Sequence, residues 1–242
     1  MRTHGKVGNG SEVFASFGAN DVGGVLQLGK KTFVSDGNTI AGDLVNLLND
    51  ANVFDVLANQ LHKGFNVTVR GTVGTPVLPL TNPFCPIPTL DCSGGIDQVI
   101  QTGANVVLTP GTYGAVAVRD GGTLVLSPAG TFNFCSLRTA RNAAIVVNGT
   151  GLTTINVVGD FRLADASTFL PGGSAPTPLL NIGGTSLRIG RRATIQAFIS
   201  APNADAAFGA GSKIIGSFCV NSNRADKGIT LECPMPATTG GS

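Results

Sequence analysis

The hydrophobic positions of this chain come in short runs of β-branched and small residues, cut every few positions by Gly, Pro, Asn or Ser, and the runs recur. Leu108-Thr-Pro-Gly-Thr-Tyr113 aligns with Leu126-Ser-Pro-Ala-Gly-Thr-Phe132. Tyr113 then precedes Phe132 by 19 residues, as Val118 precedes Leu137 and Arg119 precedes Arg138. A second stretch repeats with the same step: Ile189-Gly190 returns as Phe208-Gly209, Ile195 as Ile214, Ala197 as Gly216 and Ile199 as Phe218, all 19 apart. Repetition at a fixed step is the signature of a solenoid. A step near 19 holds three short strands and three turns, which is one coil of a parallel β-helix. Helical repeats would need a 3.6-residue periodicity that these runs lack, and leucine-rich repeats a Leu/Asn consensus that is missing. The expected fold class is all-β: a right-handed parallel β-helix with coils of about 19 residues.

The pattern also divides the chain. Residues 105–233 carry the regular coils, residues 81–104 read as a Pro/Cys-rich connecting loop, and residues 234–242 as a flexible tail. Phe161-Arg-Leu163 and Leu187-Arg-Ile189 are equivalent but lie 26 apart. The excess falls in Leu170–Pro178, a turn-rich loop extruded from one corner. Residues 1–80 read as irregular coils or a cap. Gly24–Leu28, Thr32–Val34 and Asn66–Arg70 have strand character. Residues 43–61 are open to two readings. Leu44, Leu47, Leu48, Val56, Leu57 and Leu61 fall partly on one helical face, which suits a short capping helix over the open end of the solenoid. Asn49-Asp-Ala-Asn52 is a poor helix interior and a good corner turn.

Composition agrees with short strands and tight turns. Apolar residues make up 42% of the 242, charged residues only 12%, and there are 34 Gly and 13 Pro. A net charge of +2 gives no reason to expect a nucleic-acid partner. No stretch approaches the ~20 apolar residues that span a bilayer, so membrane insertion is not expected. Met1-Arg-Thr-His4 lacks the apolar segment of a signal peptide. No cofactor is implied.

Five cysteines suggest an oxidising, extracellular or cell-surface location. Cys85-Pro-Ile-Pro-Thr-Leu-Asp-Cys92 looks like a loop pre-bent by two prolines and closed by a disulfide, and Cys219 and Cys233 are placed to close the last turn in the same way. Cys135 is then left over, as a buried small hydrophobe or an interchain partner. Five reduced, buried thiols are the alternative. With only His4 and His62, no tetrahedral zinc set is spaced for binding.

Gly111-Thr-Tyr113 and Gly130-Thr-Phe132, followed by Gly159-Asp-Phe161 and Ala201-Pro-Asn-Ala204, resemble secreted bacterial β-helix proteins. The architecture is similar to the pectate-lyase-like superfold and to bactofilins. The likeness covers roughly residues 100–233 and implies a fold far more than an activity. The bactofilin likeness implies polymerisation end to end. A lyase on this scaffold would need clustered carboxylates for calcium plus a base, and a hydrolase would need two converging carboxylates. Asp97, Asp120, Asp160, Asp165, Asp205 and Asp226 are instead scattered singly, mostly in turn contexts where Asp bonds backbone. His62, before Lys63-Gly64, reads as a solvated surface residue. No catalytic residue is assigned.

The one repeated functional candidate is a column of arginines. Arg119, Arg138, Arg162 and Arg188 each follow an apolar residue at the same strand position, so alternation sends all four outward on one face. Such a stripe would dock carboxylates or sulfates of an acidic polysaccharide, or simply be a solvated edge balanced by Asp120 and Asp165. The expected function is a non-catalytic, secreted or cell-surface structural and binding protein that assembles with itself through its ends. A carbohydrate-active enzyme or carbohydrate-binding module is the alternative, and ice binding comes third, because Thr112, Thr131 and Thr153-Thr154 do not continue as a regular file.

Overall fold

Backbone hydrogen bonding organises the whole molecule. The computed structural model describes residues 4–14, 17–18, 24–75 and 88–232. Among them are 24 strands and no helix, every strand pairing is parallel, and the strands wind into a solenoid of about 11 coils roughly 19 residues apart. Residues 43–61, the candidate helix, lie within the strands Thr39–Leu47, Asn52–Val53 and Asp55–Lys63. The turn at Asn49-Asp50 breaks any helical face, and Asp50 sits there at φ 60°. The strands expected over Gly24–Leu28, Thr32–Val34 and Asn66–Arg70 are present as the shorter Val25–Leu28, Phe33–Val34 and Thr68–Val69.

Each coil has three faces. One carries Phe161–Leu163 and Ser186–Ile189 and is called the arginine face. The chain then turns a corner into the threonine face, with Thr123–Leu126, Ala144–Val147 and Thr168–Pro171. It crosses next to the asparagine face, with Thr154–Val157 and Leu179–Ile182. Alternate residues point inward and stack as apolar columns such as Val116, Leu137, Phe161 and Leu187, all fully buried. One continuous core runs from Val56 through Val7 to Ile100.

The corner between the arginine and threonine faces is the same in all eleven coils. Gly103, Gly121, Asn142, Ala166, Arg192, Gly211, Gly228, Gly10, Lys31, Asp50 and Asn66 all have φ between 54° and 69°. This left-handed residue tightens the turn, and five of the eleven are glycine, which bears that conformation at no steric cost. The next residue points inward and is small in most coils: Ser11, Thr32, Ala51, Ala143, Ser167, Ala193 and Ser212 are all buried.

Coil order departs from chain order. Coils stack sequentially from Ile96 to Glu232, and the N-terminal coils then continue the stack beyond the C-terminal one. His4, Gly5 and Lys6 pair with Ser222, Asn223 and Arg224, while Glu12, Val13 and Phe14 pair with Thr230, Leu231 and Glu232. The joint is bonded like any other step: Glu12 N–H donates to Ile229 O at 2.9 Å and Gly228 N–H to Asn9 O at 2.8 Å. The stack ends at Asp55–Lys63, Thr68–Val69 and Val73–Gly74, so the connection to Ile96 returns to the opposite end. Its described part runs down one corner, with Leu90 against Gly183, Cys92 bonded to Cys135 and Gly95 beside Tyr113 and Gly114.

The repeat is partly re-registered. The second alignment holds, since Ile189 pairs with Phe208, Ile195 with Ile214 and Ile199 with Phe218. In the first stretch Tyr113 pairs with Phe134 and Val116 with Leu137, a step of 21 in place of 19. The error of two residues keeps every side chain on its side of the sheet, so the inward positions were still read as inward. The expected loop Leu170–Pro178 is shorter than its sequence suggests: Leu170 and Pro171 pair within the strand Thr168–Pro171, and only residues 172–178 lead to Leu179–Ile182.

The corner makes a direct prediction. A non-glycine residue held in the left-handed region is strained by about 1–2 kcal/mol. Ala166→Gly should raise the urea midpoint by the equivalent of about 1 kcal/mol, whereas Gly121→Ala should lower it by a similar amount. A methyl at Gly121 meets no atom within 4 Å, so any loss there is conformational rather than steric.

Candidate functional site

Parallel stacking in register turns a single outward position into a row that runs along the axis. On the arginine face, Ala117 pairs with Arg138, Arg138 with Arg162, and Arg162 with Arg188. Arg188 then pairs with Ala207, Ala207 with Arg224, and Arg224 with Lys6. Gln27, Asn46 and His62 complete the row on the N-terminal coils, since Gln27 pairs with Lys6 and Asn46 with both Gln27 and His62. Arg138, Arg162, Arg188, Arg224 and Lys6 are all exposed. Three members of the expected column, Arg138, Arg162 and Arg188, are therefore brought together. Arg119 is not one of them: the register shift of two puts Ala117 in its place and leaves Arg119 past the strand, at the corner.

Arg224 was missed because Ala207 interrupts the row before it, and Lys6 because the row there crosses the joint between chain regions more than 200 residues apart. The corner locates the row geometrically. In every coil the row residue stands four positions before the left-handed residue: Arg138 before Asn142, Arg188 before Arg192, Arg224 before Gly228, Lys6 before Gly10.

Four of the scattered aspartates accept from backbone and a fifth from side chains. Asp97 Oδ1 accepts from Ala115 N–H at 2.7 Å, Asp120 from Arg141 N–H at 3.1 Å, Asp160 from Ser186 N–H at 2.9 Å and Asp165 from Arg191 N–H at 2.9 Å. Asp205 accepts from the Asn221 amide and the Ser222 hydroxyl. Each of these five ties one coil to the next, so they are spread along the axis rather than gathered at one point. Among the described residues no group of three or more His, Cys, Asp or Glu is placed to hold a metal. His62 lies at the end of its strand, exposed, with Nδ1 3.1 Å from Asn46 Oδ1.

The other faces are also rowed. On the asparagine face, Asn156 donates its amide to Asn133 Oδ1 at 2.8 Å and Asn181 to Asn156 at 2.9 Å, a ladder that satisfies buried and half-buried amides coil by coil. The outward row on the threonine face reads Asn105, Thr123, Ala144, Thr168, Thr194, Lys213, Thr230. Threonines do align there, interrupted by Ala144 and Lys213. Lys213 is paired with Glu232 at 2.8 Å.

Cysteine pairing differs from the expectation. Cys92 is bonded to Cys135, not to Cys85, so Cys135 is neither left over nor free. The bridge spans 43 residues of sequence and pins the returning connection to the solenoid. Asp91, whose carboxyl accepts from the Ser93 hydroxyl and N–H, is held below its ordinary carboxylate value by those bonds and fixes the turn around Cys92. Cys219 is disulfide-bonded as well. Cys85, Cys233 and the tail at 234–242 lie outside the described residues.

Around Ala207 the arginine row opens into a cleft of about 460 Å³ lined by Arg162, Arg188, Arg191 and Arg224, with Asp165 and Asp226 along the corner rim. Among the described residues, no cation of the row forms an ion pair; the ion pairs are Arg70–Asp36, Arg141–Asp165 and Lys213–Glu232. Arg188 Nε donates only to Ser186 Oγ, at 3.2 Å. Stacked like charges oppose folding. Arg162→Ala should therefore raise the melting temperature in low salt. The gain should vanish near 1 M salt, where screening acts within about 3 Å.

Comparison of the chain with protein-family models, with curated proteins and with solved structures finds no match. The likeness to secreted β-helix proteins thus reaches the parallel solenoid itself and goes no further.

Proposed function

We propose that this is a non-catalytic structural protein of the extracellular space that stacks end to end with copies of itself and offers its long faces for binding. The observation that carries this reading is the pair of open ends. At one end, among the described residues, the strands Ile96–Ile100 and Asn105–Leu108 pair with a coil on one side only, with Ile96, Val99 and Val107 exposed. At the other, Thr68–Val69 and Val73–Gly74 are likewise last, with Phe65 80% and Val73 54% exposed. Unpaired edge strands with apolar side chains are templates for another strand.

A second copy is the occupant that fits. The molecule already contains one such junction, where the coil of residues 4–14 sits on that of residues 217–232 with no peptide link across the step. All strands run in the same sense, so the last coil of one copy meets the first coil of another in parallel. That contact is head to tail, and head-to-tail contacts without closure make filaments. The disulfides suit an oxidising location. Aspartates spent on backbone N–H groups along the axis favour a structural role over a hydrolytic one.

Electron microscopy and light scattering over a concentration series test the reading. Rods should lengthen with concentration in steps of about 50 Å, the height of eleven coils at ~4.8 Å each. Val107→Lys and Val73→Lys, each capping one end with a charge, should cut rod length without lowering the melting temperature. A single species of monomer mass at every concentration would overturn the proposal.

A further inference from the structure

The arginine row is a surface that end-to-end stacking does not use. Along its eleven positions there are five cations and no carboxylate, although the chain as a whole holds 16 Lys and Arg against 14 Asp and Glu. Arg138, Arg162 and Arg188 follow one another at the coil spacing of ~4.8 Å; Ala207 leaves one position vacant; Arg224 and Lys6 resume. All five are exposed, and none forms an ion pair among the described residues.

We propose that this row, centred on the cleft at Ala207, is a binding site for a linear acidic polysaccharide whose carboxylates or sulfates lie along the solenoid axis. Three features select that chemistry. The guanidinium fork matches a carboxylate or sulfate with two parallel hydrogen bonds. The cations run along the axis over six coils, so a small anion meets one or two of them, whereas a chain bearing an anion at each repeat meets all five. The outward position two residues before each row member runs Ala115, Ser136, Asp160, Ser186, Asp205, Ser222 along the same face, so the row is flanked by small and polar side chains, and the two carboxylates among them already accept hydrogen bonds from the next coil. Sugar hydroxyls find donors and acceptors there. Single-stranded nucleic acid would need aromatic platforms for its bases, and none of the residues named in either row is Phe or Tyr, with His62 alone at the far end.

The cleft gives the site its centre. Ala207 removes one side chain from the line, and Arg162, Arg188, Arg191 and Arg224 surround the space. Asp165 and Asp226 stand on the corner rim, and Asp165 is already engaged by Arg191 N–H and lies 4.0 Å from Arg141. The site lies within one copy, so it stands or falls independently of filament formation.

The test uses the full chain on immobilised heparin and polygalacturonate, with dextran and a single-stranded oligonucleotide as comparison surfaces. Binding to at least one acidic polymer, weakening steeply with salt, is expected, and none to dextran. Arg188→Ala combined with Arg224→Ala should weaken binding by about tenfold or more. Ala207→Glu, which places a carboxylate in the cleft at an outward position, should do the same while leaving the melting temperature and filament length unchanged. Lys213→Ala, on another face, should have no effect. Absence of retention on both acidic polymers at low salt would overturn the proposal, as would equal losses in Lys213→Ala. Tighter binding of the oligonucleotide through the same residues would assign the row to nucleic acid and overturn it too.

Discussion

Every step of this molecule depends on one constraint: each coil must give its backbone N–H and C=O groups to the coils above and below it. A strand cannot tilt or slip away from that requirement without orphaning polar groups in a dry core. The consequence is register. Once Phe161 faces Leu137 and Leu187, the outward Arg162 has no choice but to lie between Arg138 and Arg188. The same rule stacks Asn133, Asn156 and Asn181 into a ladder and aligns the left-handed corner residues in eleven coils. Length variation is pushed to the corners, where residues 172–178 can bulge without disturbing a pairing.

Much of this was legible because side-chain columns leave a trace in the chain. The spacing of Ile195 and Ile214, or Ile199 and Phe218, located true pairs. Where corner length varied, as between Leu108 and Phe134, apolar matching was satisfied equally well two residues off, since both settings keep inward residues inward. Strand parity is robust and absolute register is not. That is why Arg119 was drawn into the row and Ala117 left out. The left-handed corner would have resolved the ambiguity. Its mixed occupants hide it, because Lys31, Ala166 and Arg192 carry no turn signal of their own and hold the conformation only because neighbouring coils impose it.

What no local pattern could reveal was coil order. A parallel coil offers the same edges whether its neighbour is next in sequence or 200 residues away, so hydrophobic spacing cannot say that Gly5 lies on Asn223. The residues at that step are unremarkable: the close approach of Gly8 to the Asp226 carbonyl recurs between consecutive coils, where Gly190 meets Ala164 and Gly209 meets Arg191. The cysteines had the opposite difficulty. Cys85 and Cys92 are close in sequence and invited a local loop, whereas the returning connection brings Cys92 to Cys135, a contact set by the path along the solenoid.

The joint also separates two kinds of assembly. Residues 4–74 reach their seat on the C-terminal coil as part of the same chain, through a connection pinned to the solenoid by Cys92–Cys135. That tether gives the N-terminal coils a high effective concentration at their docking edge, so the internal step closes without dependence on protein concentration. The proposed stacking between copies would use similar strand edges but no tether. It would bear the full loss of translational and rotational freedom on association. The same hydrogen-bonding geometry is therefore tethered within a copy and would be concentration-dependent between copies. The arginine row, which crosses the internal step between Arg224 and Lys6, is complete in every folded molecule, while any filament built from the open ends responds to how much protein is present.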